Sequence, residues 1–134
     1  MYKRQQYQIG ACQIKDIAVA LACPVVAKHD DRQELIIYGG GVHLSKDRII
    51  HPKNQKAYFG LAYPLSKKGW DLSVEASIVK SLSQEHGILQ ATDSFYKETQ
   101  IGDLIAILPI HSCMTANLLK SFTSLDGAVF NMMP

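Results

Sequence analysis

A chain of 134 residues is long enough to form one domain with its own core. Hydrophobic residues make up 47% and charged residues 19%, a balance that excludes a disordered chain. A formal net charge of +2 excludes the strong field expected of a nucleic-acid or anionic-membrane binder.

The basic residues are scattered. Lys53, Lys56, Lys67 and Lys68 read as solvated loop charges rather than a recognition patch. Residues 1–8 lack the apolar run of a secretory signal. The longest apolar stretch, residues 17–27, is too short to span a bilayer and is interrupted by Pro24. A soluble cytoplasmic protein is the expectation. Cys12, Cys23 and Cys113 are odd in number and widely spaced, which argues against a disulfide framework. Cys12 and Cys23 read as small buried hydrophobes.

In chain order the pattern is mostly that of strands. Residues 17–27 read as a buried strand with an irregularity at Pro24, after a short helical turn opened by Asp16. Residues 34–38 form a second strand, ending at Gly39-Gly40-Gly41. The functional reading of three glycines is close approach to a ligand phosphate. No Gly-Lys-Ser pattern follows, so a tight turn is preferred.

Residues 46–57 read as a polar loop, 58–63 as a strand and 64–71 as turns. Residues 74–82 fit both a period of two and a helical period; their place among strands favours strand. A short strand follows at 87–89. Gly102-Asp103 reads as a turn, and residues 104–108 form the clearest buried strand. Residues 115–122 fit one short helix with Thr115 as its cap, and 127–130 a last strand. The sum is a mainly β domain, a compact β-sandwich or barrel-like fold with one or two short helices.

The segment that carries chemistry is Leu108-Pro109-Ile110-His111-Ser112-Cys113. It places an imidazole and a thiol at i and i+2, directly after a buried strand. In extended backbone those side chains point the same way. Both are zinc ligands by type. Spacing alone leaves open a hydrogen-bonded His at a strand end beside a buried Cys. A structural zinc site needs four protein ligands, and no Cys-x-x-Cys pair is present. A two-ligand site therefore requires completion by substrate, water or another chain.

Among the other histidines, His29 and His51 read as solvated. His43 faces either the site or the surface. Glu85-His86 could supply outer-shell hydrogen bonds or proton transfer, or a structural role at a strand crossing. No nucleophile elbow exists.

Four segments together carry a resemblance. They are residues 16–27, Tyr38-Gly39-Gly40-Gly41-Val42-His43-Leu44-Ser45-Lys46-Asp47, Leu82-Ser83-Gln84-Glu85-His86-Gly87 and residues 108–118. In that order they resemble the C-terminal, D-serine-dehydratase-like domain of fold-type III pyridoxal phosphate enzymes, the family of D-serine dehydratase and D-threonine aldolase. The resemblance implies that residues 1–134 form the C-terminal domain of an alanine-racemase-like enzyme.

In that family an N-terminal barrel carries the cofactor lysine. A barrel of ~250 residues cannot fit here. The resemblance therefore implies a fragment or stand-alone remnant, inactive alone, with no lysine of this chain holding pyridoxal phosphate. It implies zinc held by His111 and Cys113, where aldolases have His-x-Asp. The implied activity is β-elimination of D-serine to pyruvate and ammonia. Aldolase or racemase activity, and a non-catalytic dimerisation domain, are the alternatives. The implied partners are the pyridoxal phosphate barrel or a second subunit, in a homo-oligomer, with a D-amino-acid substrate and neither nucleic acid nor membrane.

Overall fold

The structure, a computed structural model, describes residues 3–132. Its centre is a closed barrel of six antiparallel strands. The helix α1 (Lys3–Gln8) and a 3-10 turn (Ile14–Asp16) precede β1 (Leu21–His29) and β2 (Glu34–Tyr38). Then come α2 (Gly41–Leu44), the short strands β3 (Ile49–Ile50) and β4 (Ala57–Tyr58), β5 (Gly60–Ser66), β6 (Gly69–Trp70), β7 (Ser77–Leu82) and β8 (His86–Gln90). The chain ends with α3 (Asp93–Glu98), β9 (Leu104–Pro109), α4 (Ser112–Leu119) and a hairpin of β10 (Ser121–Thr123) and β11 (Val129–Asn131). The sheet runs β6-β5-β7-β8-β2-β1-β9 and closes through β5–β9, with β6 as a flap on β5. Of the two architectures the sequence allowed, this is the barrel.

Closure follows from alternation. On β1, Leu21, Cys23 and Val25 are buried while Ala22 and Val26 are exposed. The inward set joins Leu35, Ile37, Ala62, Val79, Leu89, Ile105 and Ile107 in one core. Leu44 of α2 and Phe95 of α3 also belong to it. These two helices close opposite ends, because α2 follows the Tyr38↔His86 end of the β2–β8 pair and α3 follows the Glu34↔Gln90 end. β9 is buried on both faces. Its outer face, at Leu108, meets a second cluster with Ile17, Tyr63, Trp70 and Leu72.

Several expectations change. The strand expected over 17–27 begins only at Leu21, and the turn before it ends at Asp16 rather than opening there. The irregularity near Pro24 is a register shift between Val25 and Ala27. The loop expected over 46–57 contains β3, which pairs with β4. The glycine run makes no tight turn. It crosses from β2 into α2, and none of Gly39, Gly40 or Gly41 has positive φ. The last helix begins at Ser112, and Thr115 is buried inside it instead of capping it. β10 occupies the expected end of that helix.

At the α3 end, Glu34 is buried and carries two cationic partners, Lys80 and Arg32. The Lys80 hydrogen bond first, then that of Arg32, holds its carboxyl below the ordinary value of 4.5. A folded-state value below the unfolded one stabilises the fold above the unfolded value, and that contribution is lost as pH falls through the folded value. Lys80→Met raises the folded value, so its acid unfolding should begin at higher pH than in wild type. Thermal midpoints by circular dichroism between about pH 3 and 6, around the usual carboxylate range, check this; coincident wild-type and variant curves would count against the pairing.

Candidate metal centre

Strand direction brings the chemistry to one end of the barrel. β1 and β9 are antiparallel with Leu21 opposite Ile107, so β9 delivers its C-terminus beside the start of β1. β1 and β2 are also antiparallel, so the C-terminus of β2 lies at that same end. His111 after β9 and α2 after β2 therefore emerge together, and α2 packs against α4.

His111 is the N-cap residue of α4, in extended backbone at φ −125° and ψ 91°, and Cys113 lies in the first helical turn. The pair is thus not in a continuous extended strand. It borders the N-terminus of α4, and the His111 side chain makes no capping hydrogen bond to the first turn. His111 is half-buried and Cys113 exposed. The imidazole Nδ1 of His111 lies 3.0 Å from Oδ2 of Asp47, three residues beyond α2. Sequence reasoning did not single out Asp47, because 64 residues separate it from His111. Its only local signal was its place at the end of the Tyr38-to-Asp47 segment.

Two of the three glycines, Gly39 and Gly40, have a spatial role at this end. A Cβ on Gly40 would lie 2.5 Å from the Gln84 carbonyl oxygen and 2.6 Å from the His86 nitrogen. One on Gly39 would collide with the Cys23 sulfur, and one on Gly87 would lie 2.8 Å from the Gly39 carbonyl oxygen. The close approach is thus to the turn between β7 and β8. Gly39 N–H donates to the Glu85 carbonyl at 2.9 Å, and Gly41 N–H to that of Ser83 at 2.9 Å.

That turn carries the other candidates. Glu85 and His86 are exposed. The His86 ring stands edge-on to Tyr38 with centroids 5.6 Å apart. His43 meets the same tyrosine at 5.1 Å, and its Nδ1 accepts the Gly40 N–H at 3.2 Å. Glu85 and His86 are therefore joined to the α2 side of this end through Tyr38 and Gly39. His51, expected to be solvated, is half-buried and packs edge-on to Tyr58. Cys23 sits in the core, where burial pushes its thiol up to about 12 and leaves it inert.

As a donor set, His111 and Cys113 supply imidazole nitrogen and sulfur, which match zinc in softness. No group of three or more His, Cys, Asp or Glu side chains among the described residues is placed to hold a metal. The set fits an open site with positions for outside ligands, not a closed structural one. No helix among the described residues is long and apolar enough to cross a membrane.

The chain is similar to several known proteins. It is 30% identical over 127 residues to a D-serine dehydratase of Dictyostelium discoideum, covering 90% of this chain and 30% of the relative. It is 27% identical over 128 residues to D-threo-3-hydroxyaspartate dehydratase of Delftia sp. strain HT23, covering 90% and 33%. It thus spans about a third of the length of these curated relatives.

Among solved structures, an alanine racemase-like protein of Idiomarina loihiensis superposes with a TM-score of 0.77 at 24% identity, covering 93% of this chain and 33% of that one. The Delftia enzyme superposes with a TM-score of 0.72 at 24% identity, covering 94% and 34%. It has also been solved as a mutant of one histidine to alanine. A further mutant replaces a cysteine two positions later by alanine and is described as metal-free. Residues 18–125, well over half of the chain, match the family described as "Putative serine dehydratase domain", and the chain belongs to that family.

Proposed function

We propose that this chain is the metal-holding C-terminal domain of a pyridoxal-phosphate-dependent lyase acting on D-3-hydroxy amino acids, with D-serine as the substrate. The observation that carries the reading is His111 at the N-cap of α4, backed by Asp47, with Cys113 in the adjoining turn. The names of the relatives support dehydration, and the paired histidine and cysteine mutants of the Delftia enzyme have the spacing of His111 and Cys113.

His111 and Cys113 would hold zinc, which polarises a substrate hydroxyl as a Lewis acid and makes it a better leaving group. No lysine of this chain is assigned to pyridoxal phosphate, which supplies an electron sink for the α-carbanion. The contribution of this chain is to fix the two donors at one end of a rigid barrel. The remaining coordination positions are left for substrate and water.

Zinc content at equilibrium, measured by dialysis of the chain joined to the pyridoxal phosphate domain, tests the donor assignment. Wild type is expected to retain zinc, and His111→Ala to lose it, because one thiol is left as the protein donor. Equal zinc in both proteins would remove the basis of the assignment. D-serine elimination by the chain joined to the pyridoxal phosphate domain tests the substrate. Turnover of D-threonine to glycine and acetaldehyde instead would move the reading to an aldolase.

A further inference from the structure

We infer that Asp47 is a positioning residue that selects the Nδ1–H tautomer of His111, presents the Nε2 lone pair as the donor, and offsets the positive end of α4. The inference rests on the metal-site reading above but concerns a residue to which nothing else assigns a role. A carboxylate only accepts hydrogen bonds, so the nitrogen facing Asp47 at 3.0 Å must carry the proton. In a neutral imidazole the lone pair then lies on Nε2. Metal-bound histidines use this arrangement with an outer-shell carboxylate, which fixes both tautomer and ring plane.

Electrostatics adds a second reason. His111 occupies the N-cap position of α4, and a helix N-terminus carries roughly half a positive charge. That charge repels a divalent cation placed at the first turn. The Asp47 carboxylate behind the imidazole opposes it, and so makes this helix end tolerable for a cation.

The backbone is shaped to deliver Asp47. Ser45 ends α2 at φ 63° and ψ −176°, a region that is essentially glycine's own. Its N–H still donates to the Gly41 carbonyl at 3.0 Å, and its hydroxyl accepts the Asp47 N–H at 3.2 Å. A serine kept in a strained conformation, with its side chain spent on the backbone of Asp47, is a device for aiming that carboxylate. The packing of α2 on α4 fixes the distance.

Two measurements on the full chain test the inference. Long-range proton–nitrogen-15 correlation spectra of the metal-free protein read the tautomer of His111 directly, with His111→Ala identifying its signals. Nδ1–H is expected in wild type. In Asp47→Asn, which keeps the shape and removes the charge, the Nε2–H form should grow. Zinc affinity, read by competition with a chromophoric chelator, should fall roughly 10–100-fold in that variant. An Nε2–H tautomer in wild type overturns the inference, as does unchanged zinc affinity in Asp47→Asn. Zinc binding that survives His111→Ala would instead remove the metal-site reading, and the tautomer would still report on Asp47 by itself.

Discussion

Gly40→Ala is expected to destabilise the fold by about 3 kcal/mol, at the upper end of ordinary overpacking. The reason is space rather than conformation. Gly40 has φ −113°, which any residue can adopt. Its Cβ would meet the Gln84 oxygen, the Glu85 carbonyl carbon and the His86 nitrogen at 2.5, 2.5 and 2.6 Å. All three are backbone atoms in the turn between β7 and β8, and they cannot swing aside as a side-chain tip can. The turn or the start of α2 must move, and with α2 goes Asp47. The thermal midpoint should drop by about 10 °C for a domain of this size.

Gly41→Ala is the control. There the nearest atom is the Cε of Lys46 at 3.2 Å, the far end of a flexible chain. Alanine is the better helix former, so this neighbour should stay within about 1 kcal/mol of wild type. Equal midpoints for the two variants would mean that the backbone approach at Gly40 is not tight.

This glycine run shows how the sequence informs and where it misleads. Read locally it favoured a tight turn, whereas the backbone approach it permits is to a turn more than forty residues away, which no local pattern reveals. The strands over 34–38 and 104–108 were legible because their neighbours in the barrel bury one or both faces, and burial writes itself into composition. The helix α3 was overlooked although Thr92-Asp93-Ser94 is an ordinary start signal; its six residues gave too few turns for a period to show. The last helix was placed three residues late because His111 is an uncommon cap and the His-x-Cys spacing suited a strand. That misplacement hid the helix end at which His111 and Cys113 sit. Asp47 was illegible for a different reason: its partner is set by the crossing of two chain segments at one barrel end.

Cys113→Asp is expected to weaken zinc binding and to move metal preference toward manganese. Thiolate sulfur is a soft donor, matched to zinc; carboxylate oxygen is hard and suits manganese or magnesium. The substitution keeps a negative donor in the first turn of α4, at the same distance along the chain from His111, so the site is altered in softness and not dismantled. Cys113 is exposed, which means that aspartate incurs little burial cost there and the fold should be unchanged. The loss of zinc affinity should exceed the roughly 10–100-fold typical of removing an outer-shell partner, because a direct donor is changed. His111→Ala should abolish the response to either metal whichever side chain stands at 113. The same exchange separates the His-x-Cys of D-serine dehydratases from the His-x-Asp of D-threonine aldolases, the resemblance on which the choice of substrate rests. Zinc and manganese content of wild type, Cys113→Asp and the His111→Ala forms of both, measured side by side, decides the matter. If Cys113→Asp keeps its zinc and gains no manganese, Cys113 is not a ligand, and the preference for elimination over aldol cleavage loses its support.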